Sequence, residues 1–199
     1  MKKISSVLIL FLLIFKTSLA STYSADPKMF VQELVNDAIN NLSDKNLTEE
    51  EKENFIENVA IENVDIDALG LYTLGELRKS ADKSDIVKYQ QKFKKYFLKS
   101  LTSRLTDYSS NKFEVIIAEK KSANYTIVKS KIAKSENQPE IKIDWRIYTK
   151  NPEKPLIRDL IVEGLSLART QKEEFASILN SNNNDINILI AKLEEFINT

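Results

Sequence analysis

Ile141 to Tyr148 reads I-K-I-D-W-R-I-Y. Ile141, Ile143, Trp145 and Ile147 alternate with Lys142, Asp144 and Arg146. A period of two sends the apolar set to one face of a strand and the charged set to the other, so this run is a strand with one buried and one wet face. Three further runs have the same β-branched and aromatic bias: Phe113–Ala118 (F-E-V-I-I-A), Tyr125–Ala133 (Y-T-I-V-K-S-K-I-A) and Leu156–Val162 (L-I-R-D-L-I-V). Short polar links separate them, which suits an antiparallel meander of four strands.

The flanking sequence changes period. Upstream, Asp26-Pro27 reads as an N-cap and first helical residue. Phe30, Val31, Leu34, Val35, Ala38, Ile39 and Leu42 then form one apolar helical face. Thr48 and Glu51 offer a capping box for a second helix, buried through Phe55, Ile56 and Val59. A short helix follows from Ala68 to Leu74, with Gly75 as its terminator. The longest helix begins near Ser84. Its stripe of Ile86, Tyr89, Phe93, Phe97, Leu101, Leu105 and Tyr108 runs for about 35 Å at ~1.5 Å per residue. Downstream, Thr170 and Glu173 predict a capping box for a helix buried through Phe175, Ile178 and Leu179. An Asn182-Asn183-Asn184 turn and an Asp185 cap lead into a last helix packed by Ile186, Leu189, Ile190, Leu193, Phe196 and Ile197. N-terminal helices, a four-stranded antiparallel sheet and C-terminal helices make one α+β domain.

The first twenty residues stand apart. Lys2 and Lys3 precede the apolar run Val7–Phe15, and Ser18 and Ala20 are small residues at the −3 and −1 positions of a cleavage site. The run is too short for a bilayer, which needs about 20 apolar residues. Residues 1–20 therefore read as a secretory signal peptide cut after Ala20, leaving a soluble, exported domain of residues 21–199. Position 21 is Ser, so nothing suggests a lipidated Cys. Loss of Lys2, Lys3 and Lys16 from 29 basic residues leaves 26 against 29 acidic ones, and no bulk charge argues for nucleic acid.

The chemistry that is absent narrows the function. The chain has no His and no Cys, which removes the commonest general base, thiol catalysis and the commonest metal ligands. Three Gly in the whole chain leave no Gly-rich phosphate loop. Ser166 lies in E-G-L-S-L, which is not a nucleophile elbow. A carboxylate enzyme using Asp144 and Asp159 is the minor reading; beside Arg146 and Arg158 they read as solvent-face residues. No enzyme activity, metal or cofactor is expected. A non-catalytic, ligand-binding chain is the major reading, although the apolar helix stripe and sheet faces fit a filled core as well as a lipid-sized cavity, and periodicity does not distinguish the two.

Asp159 to Leu167 reads D-L-I-V-E-G-L-S-L, and T-Q-K-E-E-F-A-S-I-L and L-I-A-K-L follow it. Upstream stand V-D-I-D-A-L-G-L-Y-T-L-G (Val64–Gly75), the pair Phe93 and Phe97, and D-Y-S-S-N-K-F-E-V (Asp107–Val115). Together these resemble the MlaC family, also called the toluene-tolerance auxiliary family of periplasmic phospholipid-binding proteins, over nearly the whole mature chain. The family's Arg before E-F is Lys172-Glu173 here, its Gly before the last helix is replaced by the Asn run, and its aromatic at the start of the last strand is Pro155-Leu156.

The resemblance implies a monomeric carrier that shuttles phospholipid between an inner-membrane ABC transporter with an MCE-domain ring and an outer-membrane lipoprotein–porin complex, maintaining outer-membrane lipid asymmetry. A related branch is associated with hopanoids, so a polycyclic lipid is the alternative ligand. The resemblance puts lipid tails in an apolar pocket between sheet and helices. Apolar residues of the helix stripe and strands are then the candidate lining: Leu71, Leu74, Phe93, Phe97, Leu101, Val115, Ile117, Ile127, Ile143, Trp145 and Ile161. Lys88, Lys92, Lys95 and Lys99 fall within about 60° of one helix face, opposite the Phe stripe, and are the candidate docking surface for a partner or anionic headgroups.

Overall fold

Three caps written in the sequence, Asp26, Thr48 and Asp185, are caps of the fold. In a computed structural model describing residues 23–105, 112–134 and 139–199, α1 (Pro27–Ser43) starts at Asp26, whose carboxylate accepts from the Lys28 and Met29 amides. Helix α2 (Glu49–Asn63) starts at the reciprocal Thr48–Glu51 box. Helix α3 (Ile66–Thr73) is capped by Asp65, two residues earlier than the sequence suggests, and the chain leaves it through Gly75 at φ 59°. A 3-10 turn (Gly75–Lys79) leads into α4 (Lys83–Leu105). Strands β1 (Phe113–Ser122), β2 (Tyr125–Ile132), β3 (Ile141–Tyr148), β4 (Leu156–Val162) and β5 (Leu165–Ser166) follow, then α5 (Leu167–Asn180) and α6 (Ile186–Asn198). Asn183 and Asn184 supply the positive φ of the α5–α6 turn, and Asp185 caps α6. Residues 1–20, expected to be a signal peptide, and Tyr108 lie outside the described residues.

Two expectations are corrected here. The α5 cap is Ser166, whose hydroxyl oxygen accepts from the Arg169 amide at 3.0 Å. Thr170 is already inside the first turns and donates back to the Ser166 carbonyl, while Glu173 pairs with Arg169. Among the described residues the sheet has five strands, in the order β1-β2-β3-β4-β5. The extra pair arises because Glu163 (φ 49°) and Gly164 (φ 83°) both take left-handed conformations, which fold β5 tightly back on β4.

The alternation of β3 continues across the sheet. Val115, Val128, Trp145, Ile147 and Ile157 are buried beneath Phe30, Val31 and Leu34 of α1. A polar corner of this layer is closed: the Trp145 indole donates to Ser130 Oγ at 2.8 Å, and Ser130 donates to the Ile143 carbonyl at 2.9 Å. The opposite face is wet. There Glu119 is held down to about 2 by hydrogen bonds from Lys121 and then Lys129.

The long helix does not lie on the sheet. Helix α4 packs on α6, α3 and α2. Its Tyr89 and Phe93 are buried against Phe175, Leu179, Leu189 and Leu193 in a second apolar cluster. A sheet face already covered by α1 offers no equal burial, whereas three helices enclose the aromatic stripe from several sides. Tyr89 reaches complete burial because its hydroxyl is satisfied. Thr73 donates to the Gly70 carbonyl, so the Tyr89 O–H donates to Thr73 at 2.7 Å. Burial pushes the Tyr89 hydroxyl's pKa well above its ordinary value.

Gly70 measures how tight that cluster is. A Cβ there would lie 2.9 Å from Phe93 Cδ1, and the Phe93 ring is held by Tyr89, Phe97 and Phe175. Ala gains about 1 kcal/mol over Gly in a helix interior, but overpacking a core costs about 1–3 kcal/mol. Gly70→Ala is therefore expected to lower the chemical-denaturation midpoint. A raised midpoint would mean that the ring yields freely.

Candidate functional site

Strand β4 joins the two apolar clusters through a fault in its own alternation. The pairing runs from Arg146–Asp159 directly to Ile147–Ile157, so Arg158 is an extra residue on β4. Such a bulge turns two successive side chains to the same side. The Arg158 guanidinium stacks 3.5 Å from the Tyr148 ring centroid, and Asp159 lies 3.7 Å from Arg146 on the same wet face.

Each of these two residues holds one helix. Arg158 Nε and Nη2 donate to Asp65 Oδ2 at 2.8 and 2.7 Å, and Nη1 donates to the Tyr125 hydroxyl at 2.7 Å. The other Asp65 oxygen caps α3 through the Ala68 amide. The Asp65 amide donates to the Ile157 carbonyl at 2.9 Å, and Val64 bridges to Ile157 in parallel. Asp159 is 5% exposed, so the reading of it as a solvent-face residue is corrected. Its oxygens accept from Ser166 Oγ at 2.6 Å and the Ala168 amide at 3.0 Å, fixing the start of α5. Both oxygens of the minor reading's candidate acid are thus committed to structure.

A cleft opens beside this joint where α2, α3, α4 and the start of β4 meet. It holds about 180 Å³ and is lined by Ile61, Val64, Ile66 and Leu156 with Glu62, Asp65, Asp67, Lys94 and Lys154. Val64 packs on both apolar clusters, so the cleft stands over their seam. Its volume falls short of the ~300–1,000 Å³ of ordinary ligand pockets.

The expected lining residues do not share one interface. Leu74 and Phe93 are buried in the helical cluster, with Phe97 and Leu101 at its margin. Val115 and Trp145 are buried in the α1–sheet cluster, with Ile143 at its margin. Leu71 is half-buried on α3. Ile117, Ile127 and Ile161 lie on the wet face, opposite Lys129, Arg146 and Asp144 respectively. For Ile117 the cause is a second bulge at Ile116, which leaves both isoleucines about half exposed. Within the lysine set, Lys92 pairs with Glu194 at 2.6 Å and Lys99 donates to the Ile197 carbonyl at 2.9 Å, so both fasten α6. Lys88 pairs with Asp85 at 3.0 Å, and Lys95 is exposed. Val64, Asp65 and Arg158 were missed from sequence. The adjacent charges of Arg158-Asp159 inside an apolar strand were the signal for the bulge.

A meander sheet capped by α1 on one face and tied through β4 to a group of helices is the fold of a known lipid binder. A phospholipid-binding protein from Ralstonia solanacearum, solved in complex with a phospholipid, superposes with a TM-score of 0.68 at 18% identity, over 84% of this chain and 94% of that one. The MlaC protein family model matches residues 32–195, and the chain belongs to that family. No curated protein matches.

Arg158→Met would keep the stem and strand the Asp65 carboxylate. The pair is neither exposed nor fully buried, at 25% and 18% side-chain exposure. The loss should fall between the ~0–1 kcal/mol of surface pairs and the ~3–5 kcal/mol of broken buried ones. A fall of about 2 kcal/mol in urea unfolding is expected; no change would mean that the latch carries no stability.

Proposed function

We propose that the mature chain, residues 21–199, is a soluble periplasmic phospholipid carrier with no enzymatic step. It takes lipid from or delivers it to an inner-membrane MCE-domain ABC transporter and an outer-membrane lipoprotein–porin complex, and so maintains lipid asymmetry. The observation that carries this is membership of the MlaC family together with a fold shared with a protein that holds a phospholipid. The core divided at Val64 supports it, because a seam between two separately packed clusters parts at less cost than a single interdigitated core.

The energetics suit a carrier. Two acyl chains hold about 30 methylenes, and at ~0.8 kcal/mol each their removal from water is worth ~24 kcal/mol. A bilayer interior offers the same gain, so transfer from membrane to protein is near neutral in the tails. Small terms at the headgroup and docking surface then decide acceptance or release. Lys88 and Lys95 remain on the surface of α4 for such docking, since Lys92 and Lys99 are spent on α6. Replacing both by Glu should weaken salt-sensitive association with anionic vesicles at unchanged thermal stability; equal binding at low salt would remove them from the docking surface.

The direct test is lipid extraction and mass spectrometry of protein purified from its native host. The product should begin at Ser21 and carry phospholipid. Val64→Trp, which fills the neck of the seam, should lower the bound lipid several-fold. Wild-type protein free of lipid would overturn the carrier reading.

A further inference from the structure

The cleft over the seam has an unusual rim. Lys94 comes from α4, Lys154 from the β3–β4 connection, Glu62 from the end of α2 and Asp67 from the first turn of α3. All four are exposed, and none has an ion-pair or side-chain hydrogen-bond partner among the described residues, although the fifth charged lining residue, Asp65, is consumed by Arg158 and the α3 cap. Two cations and two anions from three stretches of chain converge on one concavity whose remaining lining, besides Asp65, is Ile61, Val64, Ile66 and Leu156. Ile61 is 44% exposed at that mouth.

We propose that this cleft is a headgroup subsite that selects a zwitterionic aminophospholipid. The proposal rests on the carrier reading and adds a specificity to it. The phosphate diester meets the Lys94 and Lys154 ammonium groups. The headgroup's own ammonium donates to the Glu62 and Asp67 carboxylates. The glycerol end rests on Ile61 and Leu156, above the Val64 neck through which tails pass. A purely anionic headgroup such as phosphatidylglycerol satisfies the lysines and leaves the two carboxylates facing its glycerol, with no cation to neutralise them. Like-charge juxtaposition and unpaired charges are how binding sites reject a near relative. The rim is solvated, so the selectivity should be modest, several-fold rather than orders of magnitude.

The test loads delipidated full-length mature protein from vesicles of phosphatidylethanolamine and phosphatidylglycerol in equal amounts, then measures the headgroup ratio of bound lipid by mass spectrometry. Wild type should be enriched in phosphatidylethanolamine by several-fold. The double variant Glu62→Gln/Asp67→Asn should lose that enrichment and take up phosphatidylglycerol at least as well. Lys94→Gln/Lys154→Gln should lower uptake of both lipids, and Lys150→Gln, in the same connection but outside the cleft, should change nothing. All five positions are exposed, so folding is not at issue. Loading at the vesicle ratio in wild type, or an unchanged ratio in the carboxamide variant, would overturn the headgroup subsite while leaving the carrier intact. Failure of wild type to load either lipid would overturn the carrier reading and, with it, the subsite.

Discussion

One extra residue in β4 organises this molecule. Without the bulge at Arg158, strict alternation would send Arg158 and Asp159 to opposite faces, and one of them would meet the apolar layer under α1. With it, both charges project to the face opposite α1, where Arg158 takes Asp65 and Asp159 takes the start of α5. An unpaired carboxylate as buried as Asp159 would be costly. Two donors and the neighbouring Arg146 make it an anchor. The helical cluster is thereby hung from the sheet at three successive residues of a single strand, Ile157, Arg158 and Asp159. That narrow attachment leaves a seam between the clusters.

The family motif V-E-G-L-S-L acquires a physical meaning from the same region. Glu163 and Gly164 make the left-handed turn, and the Glu163 carboxylate accepts from the Lys142 amide at 2.5 Å to hold it. Ser166 is both the cap of α5 and a donor to Asp159. Leu165 and Leu167 are exposed. The stretch that is most recognisable in sequence thus serves the hinge of the fold, while the cleft is built from residues that no motif marks.

What could be read from the chain followed from how local each signal is. Caps at Asp26, Thr48 and Asp185, the terminator at Gly75 and the alternation of β3 depend on a few adjacent residues, and the fold realises them. The partner of α4 is a different matter. Its Phe and Tyr stripe fits a sheet or a helix group equally well, and only the prior claim of α1 on the sheet decides. Ile117, Ile127 and Ile161 were misplaced because apolar residues also occur on the wet face, and a bulge at Ile116 inverts the count. The α5 cap was misassigned because Thr170–Glu173 satisfies the local pattern as well as Ser166 does, and only the distant Asp159 favours the earlier start. The cleft joins residues 61–67 to Lys94 and to Lys154 and Leu156, and that juxtaposition lies outside any short window of sequence.

The meander has a consequence for how the chain finds this arrangement. Each strand pairs with its neighbour in sequence, so the sheet closes only short loops. The contacts that complete the molecule span far more chain: 83 residues from Gln32 to Val115, 93 from Asp65 to Arg158, and 102 from Lys92 to Glu194. Loop-closure entropy grows with the logarithm of loop length, and non-local contacts govern folding speed. The strands therefore have the smallest entropic barrier to meeting. The contacts that tie α1 and α3 to the sheet and α4 to α6 have the largest.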